Sequence, residues 1–180
     1  MLQITIPSTE MYDETTNEFK RTKEYVLQLE HSLVSISKWE SKWNKVFLSK
    51  DDKTYEEVID YIKCMTITQN IPDEAYRYLT KDNIDQIEKY ISAPMTATWF
   101  SNEKKTGVNR EKTTSELIYY WMIALNIPFE CQKWHLNRLL TLIRVCNIKN
   151  APPKKMSKSA LMKRNAALNA ARRQQYNTSG

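Results

Sequence analysis

Cys131 and His135 are the residues whose types and spacing come closest to chemistry. Four residues apart, they would share one helix face, where a thiolate–imidazole pair or two metal ligands could form. A closed metal site needs four ligands, and His31, Cys64 and Cys146 stand at no motif spacing from them. A nucleophile also needs an oxyanion hole, usually built from turn amides. The pair therefore reads as a core thiol beside a satisfied histidine. We expect no catalytic residue and no metal ligand in this chain.

The acids Asp51, Asp52, Glu56, Glu57 and Asp60 cluster around a predicted helix start. Paired carboxylates could do acid–base work, but acids in a first turn more simply complement the helix dipole. Glycine is the most restrictive count. Only Gly107 and Gly180 occur, whereas loops that cradle phosphates need several glycines to bring the backbone close to the anion. Walker loops and dinucleotide fingerprints are thereby excluded, and no cofactor is expected. Glycine poverty also argues against a tight-turned β fold.

Lys38-Trp39-Glu40-Ser41-Lys42-Trp43 could form a docking ridge, because tryptophan gives large contact area and is enriched at binding hot spots. Stripes at helical spacing usually face inward, so both rings could equally fill a core. Trp99-Phe100 borders a polar loop, where exposed aromatics bind partners. The anchors expected for a protein partner are Trp39, Trp43, Trp99 and Phe100.

The net charge of +6 is unevenly placed. From residue 154 to the end stand Lys154, Lys155, Lys158, Lys163, Arg164, Arg172 and Arg173, with no acid, leaving 20 basic against 21 acidic residues before them. This describes a near-neutral body carrying a cationic arm. Those cations could neutralise phosphates or an acidic partner, and the arm could dock Leu161, Leu168 and its alanine side in a groove. It lacks the aromatic interleaving of single-strand binders.

Steps of three and four residues through Leu29, Leu33, Ile36, Trp39 and Trp43 predict a helix from about Thr22 to Phe47. Glu40 lies on that apolar stripe and needs a partner there. Leu2 to Ile6 alternates like one short strand, and Ser8 to Lys20 reads as a loop or arm. Thr54-Tyr55-Glu56-Glu57 predicts a capping box, with Tyr55, Val58, Ile59, Ile62 and Met65 inward. A short helix opens at Pro72, and another, capped by Thr80, carries Ile84, Ile87 and Ile91 until Pro94. Met95 to Phe100 reads as extended and Ser101 to Lys112 as the most polar internal loop. Thr113-Thr114-Ser115-Glu116 predicts a second capping box. The helix after it, Leu117 to Leu125, is apolar on all sides and expected to be central and buried. Pro128 should start the longest helix, to about Asn147, with Phe129, Leu136, Leu139, Leu140, Ile143 and Cys146 inward. These two helices are expected to form the core hairpin. Ala151-Pro152-Pro153 is a linker, and Ser157 to Gln175 is rich in helix formers.

The three cysteines have no framework spacing and read as reduced core or near-core thiols of a cytosolic protein. No signal peptide is expected at the start of the chain. The longest apolar run, Leu117 to Leu125, is far shorter than a membrane span requires, so no membrane association is expected.

The stretch Leu29 to Trp43, the stretch Ser115 to Leu140 continuing through Pro153, and Met95-Thr96-Ala97-Thr98-Trp99-Phe100 together resemble proteins of long-tailed bacteriophages of the tail assembly chaperone type. The resemblance spans nearly the whole chain. It implies a non-enzymatic assembly factor of the host bacterial cytoplasm. Such factors bind the long, aggregation-prone tape-measure protein and help the tail-tube protein polymerise around it. The strongly basic end departs from that pattern. The lesser alternative is a virion structural or nucleic-acid-binding protein that uses the basic tail, and a homo-oligomer is compatible with either.

The fold expected is mainly α: a single compact helical domain with a short N-terminal β-strand and a basic C-terminal helical tail. The body would span residues 1–150, and the Pro-Pro linker with its tail residues 151–180.

Overall fold

The computed structural model describes residues 1–13, 18–100, 112–152 and 157–178. The expected polar loop at 101–111, and Lys154 and Lys155 of the basic tail, lie outside the described residues. The chain is mainly helical and divides into two compact units, Met1–Asn147 and Ile148–Gly180.

Strand β1 (Leu2–Ile6) pairs antiparallel with β4 (Tyr25–Leu29), setting Ile4 opposite Leu27 and Ile6 opposite Tyr25. The alternation buries Ile4, Ile6, Leu27 and Leu29 on one face, as a period of two requires. The helix expected from Thr22 is thus corrected: residues 25–29 are a strand. Tyr25-Val26-Leu27-Gln28-Leu29 alternates covered and exposed positions, and pairing with β1 overrides the three- and four-step apolar pattern continuing from Leu29. The other edge of β4 is also occupied. The Ile67 amide donates to the Gln28 carbonyl at 2.8 Å, and the Glu30 amide donates to the Met65 carbonyl at 2.9 Å. The loop expected at residues 8–20 contains β2 (Glu10–Asp13) and β3 (Glu18–Arg21), a second antiparallel pair closed at its base by Thr9 and Thr22.

Helix α1 (Leu33–Trp43) starts where Ser32 accepts from the Ser35 amide and Ser35 reciprocates, and it stops at Asn44 in the left-handed region. It buries Leu33, Ile36 and Trp39, and the Trp39 indole N–H donates to the Glu57 carbonyl at 2.9 Å. Glu40 is buried on the same stripe. Its partners are backbone amides: Phe47 N–H at 2.9 Å on one oxygen and Ser115 N–H at 2.8 Å on the other.

Helix α2 (Tyr55–Met65) opens with the predicted Thr54–Glu57 capping box. Its buried face is rotated from the expected one. Tyr55 is exposed, while Glu57, Asp60 and Tyr61 join Ile62 and Met65 inside. The acids can turn inward because Lys45 pairs with Glu57 and Lys42 with Asp60. Thr54→Ala should cost about 1 kcal/mol in urea unfolding, and Thr54→Ser only a few tenths, because serine caps equally well.

A 3₁₀ helix spans Asp73–Tyr78. Helix α3 (Lys81–Ser92) follows, capped by Thr80 with Asn83 as the reciprocal partner. Asn83 also donates to the Thr5 carbonyl at 3.2 Å and so holds α3 against β1. Residues 95–100, expected to be extended, contain no regular structure.

Helix α4 (Ser115–Ala124) is capped by Thr114 alone; the box expected from Thr113 to Glu116 does not form. Leu117 occupies the position where a reciprocating side chain would stand, and Glu40 accepts from the next amide, that of Ser115. Nor is α4 buried all round. Ser115, Ile118 and Met122 enter the core, whereas Tyr120 and Ile123 are 62% and 60% exposed.

The helix expected from Pro128 is broken into a 3₁₀ helix (Phe129–Lys133) and α5 (Leu136–Asn150). Between them, His135 bridges Ser32 and the Leu136 amide donates to the His31 carbonyl at 2.7 Å. That pairing holds the chain extended and sets the restart point. Phe129, expected inside, is exposed, and contacts between α4 and α5 are sparse. The core is therefore organised around α1, which packs against α2, α4 and the Phe129–Lys133 turn, and not around an α4–α5 hairpin.

The second unit contains α6 (Lys158–Tyr176), capped by Ser157 and ended by Asn177 in the left-handed region; it buries no side chain.

Candidate functional site

Two arrangements bring polar and aromatic chemistry together in the body: a buried histidine–tyrosine cluster and a solvent-facing apolar surface.

In the cluster, the His31 and His135 rings lie 5.1 Å apart between centroids, at 2% and 6% exposure. The His135 Nε2–H donates to the Tyr90 carbonyl at 3.0 Å, and its Nδ1 accepts from the Asn137 amide at 3.3 Å. A carbonyl can only accept and an amide can only donate, so His135 is neutral and protonated on Nε2. His31 Nδ1 is paired with the Tyr61 hydroxyl. The Tyr90 hydroxyl donates to Glu30 Oε1 at 2.6 Å, and Glu30 Oε2 meets the Met1 amine at 3.1 Å.

Burial, reinforced by the neighbouring His135, holds His31 at about 4. Burial also lowers His135, against the pull of the Tyr90 carbonyl and Glu30. It raises Tyr61 and Tyr90 well above the usual phenol range, with Glu30 adding to the shift at Tyr90. These are the signatures of groups kept uncharged inside the fold.

Cys131 and His135 do not act as a pair. His135 faces Tyr90 and His31, and burial raises the Cys131 thiol above its ordinary value, away from thiolate reactivity. Among the described residues, no three His, Cys, Asp or Glu side chains converge to hold a metal ion, and no helix is long and apolar enough to cross a membrane.

The four expected anchors are scattered. Trp39 is 1% exposed and belongs to the core, so its assignment as a docking residue is corrected. It packs edge-on to Phe47 at 5.2 Å, and Phe47 lies against Tyr61 at 4.0 Å. Trp43 is half-buried, and its indole N–H donates to Asp60 at 3.0 Å. It borders a groove of about 550 Å³ lined also by Tyr55, Ile59, Lys63 and Tyr76. Trp99 is 93% exposed. Phe100 is half-buried, with the Arg144 guanidinium 3.9 Å from its ring centre.

The surface that sequence reasoning missed is the outer side of α4. At about 100° per residue, Tyr120, Ile123 and Ala124 share that side with Glu116, and all four are exposed. Phe129 continues it, with its ring 6.5 Å from that of Tyr119. The signal was present as apolar residues on every side of the helix, which one neighbouring helix cannot cover.

Of the basic tail residues, Lys158, Lys163, Arg164, Arg172 and Arg173 all lie on α6 and are exposed. The chain matches no protein-family model, no curated protein and no solved structure.

Proposed function

We propose that this chain is a non-enzymatic tail assembly chaperone of a long-tailed bacteriophage. Working in the host bacterial cytoplasm, it would hold the tape-measure protein while tail-tube subunits assemble around it. The observation that carries this reading is the solvent-facing apolar side of α4, with Tyr120, Ile123 and Phe129 all more than half exposed. An amphipathic helix of a long helical partner buries its own stripe against such a face. Trp99 offers a large rigid contact of the type that dominates binding energy. The sequence resemblance supplies the identity of the partner, and this surface supplies the means of gripping it.

Co-expression tests the proposal. The tape-measure protein should stay soluble beside the intact chain. It should return to the pellet beside a Tyr120→Glu/Ile123→Glu variant whose melting temperature is unchanged. A tape-measure protein that stays insoluble with the intact chain in excess would sink the assignment.

A further inference from the structure

We propose that α6 is a duplex-DNA-binding helix that enters the major groove by its alanine side. This goes beyond the assembly role and does not depend on it. The helix runs from Lys158 to Tyr176, buries no side chain and contains no acid. Stepped at about 100° per residue, its cations do not gather on one face. Lys158, Lys163, Arg164, Arg172 and Arg173 are distributed around the whole circumference.

The other residues divide in two. Ala160, Ala166, Ala167, Ala170 and Ala171 share one side with Ser159, with Lys163 and Gln174 at its middle, and Arg164 and Arg173 stand at its two borders. Leu161, Met162, Leu168 and Tyr176 lie opposite.

Charge on all sides discriminates among anionic partners. A helix lying on a membrane needs a continuous apolar face with its cations on the other, but here Lys158 and Arg172 fall among the leucines. A single strand is held by stacked aromatic rings, and Tyr176 is the one aromatic residue of α6. An A-form RNA duplex has a major groove too deep and narrow to read.

The B-form major groove is about 12 Å wide and takes one α-helix with phosphates on both flanks. Small side chains let the helix axis approach the base edges, and arginines at both borders of that side reach the two phosphate walls. The alanine side, with Arg164 and Arg173 at its margins, has this form. Lys154 and Lys155 precede the helix in sequence and add to the charge.

The test uses the full chain and a fluorescent duplex of arbitrary sequence, about 24 base pairs long, followed by anisotropy across a salt series. With about three phosphates neutralised by Lys163, Arg164 and Arg173, the log–log slope should be about −3. Arg173→Glu, at a border of the alanine side, should weaken binding about tenfold and flatten the slope by about 1, a larger effect than that of Arg172→Glu on the opposite side.

Orientation is read from two single substitutions of equal charge. Ala170→Glu, on the groove side, should weaken binding about tenfold more than Leu168→Glu, on the opposite side. Helicity by circular dichroism should be the same in both. Equal losses would overturn the groove orientation. No binding to the duplex at low salt would overturn the proposal, and so would tighter binding to phosphatidylserine vesicles or to an acidic protein such as bovine serum albumin.

Discussion

Glu40→Ala is expected to lower the unfolding free energy by about 3–4 kcal/mol. The carboxylate is 8% exposed and accepts one amide on each oxygen, from Phe47 and from Ser115. Alanine leaves both donors without a partner, at about 1–3 kcal/mol each when buried. The damage spreads because the two amides belong to different elements. Phe47 carries the ring that packs between Trp39 and Tyr61, and Ser115 is the first residue of α4. Glu40→Gln keeps one acceptor oxygen but turns an amide N–H toward the second donor, so it should recover no more than about half of the loss. Urea denaturation of the three proteins at neutral pH measures this. A loss below about 1 kcal/mol in the alanine variant would show that water reaches both amides.

Acid is expected to destabilise the body well before its ordinary carboxylates titrate. His31 is held at about 4 in the folded chain by burial and by His135, against about 6.5 when unfolded. Between those values the unfolded chain binds the proton and the folded chain does not. Stability is therefore complete above about pH 6.5 and falls as pH drops toward 4. For His31 alone the loss is about 2 kcal/mol by pH 5 and about 3 kcal/mol by pH 4. His135 is lowered as well, so it adds in the same direction.

The groups facing the pair are Tyr61 at His31, the Tyr90 carbonyl and Asn137 amide at His135, and Glu30 behind Tyr90. None is a carboxylate in direct contact with His31 that could compensate its charge. Asparagine at position 31 can still pair with the Tyr61 hydroxyl but cannot take up a proton, so His31→Asn should flatten the profile between pH 6.5 and 4. Urea midpoints of the unsubstituted chain that do not move between pH 7 and pH 5 would refute the account.

Helix starts were legible where a cap is written in adjacent residues. Thr54 with Glu57, and Thr80, cap where the local pattern places them. The mainly helical class and the tail helix were legible for the same reason. Long-range pairing was not. Nothing near Leu29 announces that residues 25–29 meet residues 2–6, and nothing near Trp134 announces that residues 31 and 32 will straighten the chain there.

The inward turn of Glu57 and Asp60 depends on lysines more than ten residues away. The interior cluster draws on Glu30, His31, Tyr61, Tyr90 and His135, which have no spacing in common. For the surface, the apolar character of α4 was plain, but only the packing of its neighbours decides which side stays open. The demand of Glu40 for a partner was visible in its position on an apolar stripe, though the identity of that partner was not.

The short bond from the Leu136 amide to the His31 carbonyl has a consequence for synthesis. It joins a residue made early to one made near the end of the body. At a ribosomal pace of about 5–20 residues per second, residue 31 waits roughly 5–20 s for its counterpart. Throughout that interval the nascent polypeptide holds Leu33 and Ile36 of α1 without α4, which later packs against that helix. Codon choice between α3 and α5 therefore sets how long this half-made chain is vulnerable to aggregation. Slow codons there would lower the yield of native protein without changing an amino acid.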